Sequence, residues 1–215
     1  KKTLSGFATG HLYFGMHRTQ NSWVFREWAP HDTKIYLIDN TTNWKDNEAY
    51  ALSRNDNGIW EISLPHDALA HGDHYKLHVF WDGGDGLRIP SYTHEAVQED
   101  DTKNFNAVVW EPEVPFTWTD EQFIPAAEPP LIYEAHVGMS SEKPAVSSYR
   151  EFAQHVLPRI KKAGYNTVQL MAVAEHPYYG SFGYHVSNFF AVSSRCGTPD
   201  DFKQLINSAH QHGLR

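Results

Sequence analysis

SSYREFAQHVLPRIKKAG, Ser147 to Gly164, decides how the second half of this chain must fold. Tyr149, Phe152, Ala153, Val156, Leu157 and Ile160 recur at helical spacing. Ser148 and Glu151 have the three-residue separation of a capping box, and Gly164 suits the stop. Pro158 lies inside the helix and should bend it. An apolar strand candidate stands on each side: LIYEAHVG (Leu131–Gly138) before, NTVQLMAVAE (Asn166–Glu175) after. A second helix follows, with Thr198 as cap, Pro199 in the first position, Asp200 and Asp201 in the first turn, and a stripe of Phe202, Leu205, Ile206 and Ala209 ending at Gly213. Strand, helix, strand, helix is the βα repeat of a parallel sheet, with both strands expected to be buried. The sequence stops where a third strand is due. Two such units cannot close a barrel, so the chain is expected to be the N-terminal piece of a larger protein.

Upstream the grammar differs. Trp23–Pro30, Lys34–Asp39, Ile59–Pro65, His74–Trp81 and Phe105–Trp110 are rich in β-branched and aromatic residues, separated by the turn compositions APHD, NDNG, HGD and DGGDG. They predict an antiparallel sandwich over residues 1–110. Residues 111–130, rich in proline, read as a linker pinned by Phe116, Trp118 and Phe123. Residues 131–215 form the βα region.

The 215 residues are 40% apolar and 20% charged, a globular balance, with a net charge of -8 that disfavours nucleic acid and anionic membrane as partners. The aromatic share of 14% without basic excess suits neutral ligands that stack on rings. One cysteine, Cys196, permits no intrachain disulfide, and no apolar run approaches a membrane span, so a cytoplasmic location is expected. His66, His71 and His74 read as loop histidines and not as metal ligands; no metal or cofactor is expected. Glu134 with His136, and Glu175 with His176, lie on strands where a Glu could be an acid or base, but they read better as buried polar groups locking neighbouring strands together. In βα folds ligands sit on the loops after the strands, and the loop from His176 to Gly197 is far longer than such connections usually are. It contains PYYGSFGYHVSNFF (Pro177–Phe190).

Tyr133–Ser141 and Ser147–Gly213, including EHPYYGSFGY and FFAVSSRCGTP, closely resemble the opening of the catalytic barrel of α-1,4-glucan branching enzymes, members of the α-amylase superfamily of glycoside hydrolases. FGMHR, FREWAP, NTTNW, NGIWEISLP, HGDHYKLHV and RIPSY resemble, in order, the family-48 carbohydrate-binding module that precedes that barrel. TTNW departs from the usual phenylalanine-asparagine-x-tryptophan element but retains Trp44. The resemblance implies an immunoglobulin-like sandwich followed by the first two βα units of an incomplete (β/α)8 TIM barrel. It implies α-glucan (glycogen, amylose, amylopectin) as partner and no cofactor. The activity implied is cleavage of an α-1,4 linkage through a covalent glycosyl-enzyme, then transfer to a 6-hydroxyl. The nucleophile and acid/base carboxyls are expected beyond Arg215, so no catalytic residue is assigned here and the chain alone is expected to bind glucan without cleaving it.

By the same resemblance Tyr184 would stack under the sugar at the cleavage subsite, with Asn188, Phe189, Phe190 and Ala191 contacting glucan beside it and Phe182, Phe189 and Phe190 partly in the core. His176 and Tyr179 would support that pocket. In the module, Trp44 would be the ring platform and Lys76 the hydroxyl-binding ammonium. Trp28, Pro30, Asp56, Gly58 and Asn106 would border the same groove, while Trp60 is expected in the core. Exposed apolar surface in the second half would favour self-association. Two other readings stand beside this one: a free-standing glucan-binding scaffold, and another module-plus-barrel enzyme such as a debranching enzyme or a trehalose-releasing hydrolase.

Overall fold

The computed structural model describes residues 3–125 and 127–215; Lys1 and Lys2 at the start, and Ala126 in the expected linker, lie outside the described residues. The chain divides into two compact units, Lys1–Glu113 with Asn188–Ala191, and Val114–Ser187 with Val192–Arg215.

In the first unit a short helix α1 (Leu4–Phe7) precedes nine strands: β1 (Gly15–Arg18), β2 (Ser22–Trp28), β3 (Asp32–Asp39), β4 (Ser53–Arg54), β5 (Ile59–Pro65), β6 (His74–Trp81), β7 (Gly84–Arg88), β8 (Glu95–Gln98) and β9 (Phe105–Val108). One antiparallel sheet has the order β1-β2-β5-β4; the other runs β3-β6-β9-β8, with β7 also paired to β6. In β5, Trp60, Ile62 and Leu64 are buried while Glu61 and Ser63 are exposed, the alternation of a strand with one wet face. The buried residues of both sheets make one core, in which Phe25 of β2 meets Tyr75 of β6 edge-on at 6.1 Å between ring centroids. Trp60 belongs to it, as expected.

Four strands escape the sequence pattern, and DGGDG is not the flexible turn it resembles. Asp82 and Gly83 turn, and β7 begins at Gly84. Its glycines let backbone lie on Trp81: a Cβ on Gly84 would come 3.2 Å from the indole nitrogen, and the Arg88 guanidinium stacks 5.0 Å over the ring.

In the second unit β10 (Ile132–Ala135) and β11 (Thr167–Leu170) pair in parallel, Ile132 opposite Thr167. Arg215 continues the pattern, its carbonyl accepting from Val168 N–H at 2.8 Å and its N–H donating to the Asn166 carbonyl at 3.0 Å. The connecting helix begins as α2 (Tyr149–Glu151) with the Ser148–Glu151 capping box formed. A π turn (Phe152–Val156) follows, then α3 (Leu157–Lys162) with Pro158 in its first turn. Leu157 N–H reaches back five residues to the Phe152 carbonyl. Proline has no N–H and its ring crowds the carbonyl four residues back, so the helix widens by one residue just before it. Gly164 ends the helix at φ +93°. Helix α4 (Pro199–Gln211) carries the expected Thr198 cap and a full capping box with Asp201.

Two expectations need correction. β10 is not buried: Ile132 and Tyr133 are exposed, because among the described residues the strand has a neighbour on one edge alone. Asn166–Glu175 is not one strand but β11 and a two-residue β12 (Ala174–Glu175), broken at Ala172 with φ +47°. The segment after Val114 packs onto α4: Thr119 N–H donates to Asn207 at 3.0 Å, and Phe123 stacks on His210 at 4.1 Å.

The capping box carries a pH dependence. Hydrogen bonds from Lys143 and from the Ser148 backbone and side chain hold the Glu151 carboxyl down from its ordinary 4.5 to about 2. A depressed carboxyl stabilises the fold above the unfolded value and loses that contribution as pH falls. Acid titration followed by circular dichroism should show helix loss setting in below about pH 4.5 and completing near 2, with Glu151→Gln removing this component. Superimposable acid profiles for the two proteins would contradict the assignment.

Candidate functional site

On the first unit, β3 and β6 pair along their whole length, from Lys34 opposite Phe80 to Asp39 opposite Tyr75. β6 therefore sends Tyr75, Leu77 and Val79 inward and leaves His74, Lys76, His78 and Phe80 half-buried on the outer face. The loop after β3 brings Trp44 to this face, and the Lys76 ammonium lies 5.8 Å from the Trp44 ring centroid. Trp44 is held by two hydrogen bonds in a left-handed backbone conformation. Its N–H donates to the Asp39 carbonyl at 2.8 Å, its indole N–H donates to Asn40 Oδ1 at 2.8 Å, and its backbone sits at φ +57°.

Asn106, fully buried on β9, donates through its amide to Glu99 and, at 3.4 Å, meets His74. Its Oδ1 is buried without a protein partner, an arrangement that costs about 1–3 kcal/mol unless a donor arrives. Burial pulls the Lys76 ammonium below its ordinary value against the opposing charge of Glu99. Hydrogen bonds from Thr102 and Asn106 hold the Glu99 carboxyl low. A flat ring, an ammonium and a carboxylate together match what a neutral polyol offers: an apolar C–H face with hydroxyls that donate and accept at its rim.

The expectation of one groove fails for Trp28, Pro30, Asp56 and Gly58. They cluster at the opposite end of β3, a separation of roughly 23 Å over its seven residue steps. There Trp28 pairs with Ile59, Ala29 N–H donates to the Gly58 carbonyl at 3.0 Å, and Arg54 binds the Pro30 carbonyl at 2.7 Å. Gly58 is required: at φ +75°, a Cβ would lie 2.7 Å from Pro30 Cα. Trp28, 59% exposed, lines a separate cleft of about 270 Å³ with Trp81, Asp32, Arg88 and Glu27, whose carboxyl burial raises above its usual range. Glu99 and His78 were missed; two-residue alternation from Lys76 was the available signal for His78.

Asn188–Ala191, which lies in β13 (Asn188–Val192), groups with this unit. Asn188 and Ala191 are buried, so their side chains do not face a ligand, contrary to expectation. Phe190 stacks on Tyr92 at 4.4 Å, and Phe189 remains as the outward ring, 80% exposed.

In the second unit Tyr184 and Phe182 line a cavity of about 860 Å³ with Tyr133, Glu134, His136, Met139 and Met171. Tyr184 is 65% exposed. Ser181 organises the turn beneath it, its carbonyl accepting from Tyr184 N–H at 3.0 Å, and His136 Nε2 bonds the Phe182 carbonyl at 3.0 Å. Gly183 sits at φ +88°, its Cα facing the Ala172 carbonyl; this close approach accompanies the break in the second strand. His176 is buried, with Nδ1 3.1 Å from the Ala174 carbonyl, and Tyr179 stacks near it at 6.5 Å; neither lines the cavity. Glu175, wholly buried, accepts from His176 and Ser194 N–H at 2.9 and 2.8 Å and from Arg195 at 3.5 Å. Glu134 accepts from Gln169 of the neighbouring strand at 2.6 Å. Glu134 does link two strands, though it is exposed and not buried as read; Glu175 is buried as read, but it ties the ends of the long loop and not two strands. Among the described residues no group of three or more His, Cys, Asp or Glu is placed to hold a metal ion, and no helix is long and apolar enough to cross a membrane.

Residues 13–93 match the family described as carbohydrate-binding module 48 (isoamylase N-terminal domain). Over 98% of its length the chain is 43% identical to 1,4-alpha-glucan-branching enzyme 2-2, chloroplastic/amyloplastic, of Arabidopsis thaliana, covering 27% of that protein. It is 39% identical over 99% of its length to the 1,4-alpha-glucan-branching enzyme of Dictyostelium discoideum, covering 32% of it. The chain thus spans about a quarter to a third of the length of the curated relatives it matches. Among solved structures it resembles a putative alpha amylase from Salmonella typhimurium (TM-score 0.75, 22% identity, 94% of this chain, 32% of that one). Pullulanase from Bacillus acidopullulyticus has the same TM-score and identity, with 94% of this chain and 28% of that one covered. At that identity the likeness is one of fold.

Gly183→Ala would put a Cβ 2.4 Å from the Ala172 carbonyl oxygen in a backbone region side chains rarely adopt. It should destabilise the second unit by about 1–3 kcal/mol or more in denaturant unfolding. An unchanged midpoint would show that this contact does not hold the turn.

Proposed function

For a chain related over nearly its whole length to the 1,4-alpha-glucan-branching enzymes, we propose a glucan-binding module joined to the opening of a catalytic barrel. The whole enzyme would cleave an α-1,4 linkage and transfer the released chain to a 6-hydroxyl, building α-1,6 branches in glycogen or starch. The observation that carries the module's part is the Trp44–Lys76 pair, with Asn106 and Glu99 behind it. The ring takes the apolar face of a glucose unit and Lys76 donates to hydroxyls, while Asn106, buried beneath, holds Glu99 in place. We read the module as an immunoglobulin-like sandwich because two antiparallel sheets share one core. The barrel reading is supported by the parallel β10–β11 pair and by Arg215 pairing beside β11.

Tyr184 would stack under the sugar at the bond to be cut. Transfer with retention needs two carboxyls about 5–5.5 Å apart. The cavity around Tyr184 has one, Glu134, already bonded to Gln169. We read the nucleophile and the acid/base as coming from outside this chain, which would hold substrate without cutting it.

Two measurements test this. On an amylose gel, Trp44→Ala and Lys76→Ala should each weaken retention roughly five- to thirtyfold, the equivalent of about 1–2 kcal/mol; unchanged retention in both removes the site assignment. The full-length enzyme on amylose should create α-1,6 linkages, whereas net hydrolysis would favour the debranching alternative.

A further inference from the structure

Because β6 alternates, His78 points to the same outer face as Lys76. Both of its ring nitrogens face carboxylates: Nδ1 is 2.7 Å from Asp46 Oδ1, and Nε2 is 2.8 Å from Asp85 Oδ2. A neutral imidazole has one N–H and one lone pair, so it can donate to one carboxylate and must turn a lone pair towards the other. The protonated ring donates to both. Asp85 is on β7; Asp46 closes the loop that carries Trp44. The ring therefore ties that loop to the β6–β7 hairpin.

The loop needs a hold at this end. Asn43 and Trp44 lie at φ +53° and +57°, a conformation that residues with side chains keep only where their surroundings over-determine it. The loop's first end is fixed by Asp39 and Thr42, each taking a backbone N–H of the other at 2.9 Å. At the far end Asp46 meets His78, and Glu48 accepts from Lys34 at 2.8 Å and Tyr36 at 2.6 Å.

We propose that His78 is a positioning residue for Trp44: its imidazolium clasps Asp46 to Asp85, keeps the indole over Lys76, and lets go as the ring loses its proton. The inference rests on reading this face as the glucan site. The groups around the ring are Asp46 and Asp85 in direct contact, Tyr36 opposite it on β3 with Lys34 and Glu48 beyond, and Leu87 opposite it on β7. Phe80 lies at 4.4 Å, and Lys76, faced by Glu99, two residues back. Partial burial of the ring opposes its charge, but the hydrogen bonds to Asp85 and Asp46 outweigh it and raise the pKa above the ordinary histidine value. With a raised pKa the clasp is complete below about 6.5 and is lost as pH rises through the higher folded value.

The test measures retention on an amylose gel from about pH 5 to 9 for the wild type, His78→Gln and Asp85→Asn. Wild-type retention should hold at the acid end and fall several-fold above the raised pKa. Asp85→Asn, which removes one facing charge, should move that fall to lower pH. His78→Gln, with one donor arm that does not titrate, should bind more weakly and without this pH dependence. An NMR titration of the His78 ring and the amides of residues 40–47, without glucan, reads the clasp directly; the loop amides should shift with the ring. A His78→Gln profile identical to wild type, or loop amides indifferent to the His78 proton, overturns the proposal. Absence of retention at every pH would instead sink the glucan reading, and the NMR titration would still decide the clasp.

Discussion

The pairing of β3 with β6 is the constraint on which the first unit depends. One strand, His74 to Trp81, supplies core residues from one face and the candidate glucan contacts from the other. A slip of one residue would expose Tyr75, Leu77 and Val79 and bury Lys76 and His78. The core packing and the order of the outer face are therefore set by a single register. The core, with Phe25 against Tyr75, holds that register, and the outer face inherits its order from it.

Much of this was readable in advance where physics acts locally. Ile59–Pro65 and His74–Trp81 appear with the bounds expected, because strict alternation against a core leaves little ambiguity. The capping box at Ser148, the cap at Thr198 and the disturbance at Pro158 follow from donors and acceptors within a few residues of each other. β4 has two residues, β7 is largely glycine and charge, and β1 and β8 have four each; none carries enough side-chain pattern to be seen. They are strands because a neighbour pairs with them.

The candidate site was legible to a smaller degree. Trp44 and Lys76 came from likeness to a family, since no pattern reveals a tryptophan at φ +57°. Nor does sequence order reveal that Trp28 and Trp44 stand at opposite ends of the strand lying between them. The burial of Asn188 and Ala191, and the break at Ala172, depend on packing between segments far apart in the chain. Glu175 is the reverse case. A carboxylate beside a histidine invites a catalytic reading, yet with backbone N–H groups and Arg195 around it, its work is to fix the start of the long loop.

The π turn before Pro158 bears on which way this helix faces. It accommodates one residue more than a regular helix of the same span, while Phe152, Leu157 and Ile160 on either side still face the core. Helices ordinarily tolerate neither insertion nor deletion, because either rotates everything that follows by about 100°. Here the widened turn takes up that rotation just before Pro158. The helix thus carries one residue beyond a regular helix without disturbing either strand that it joins.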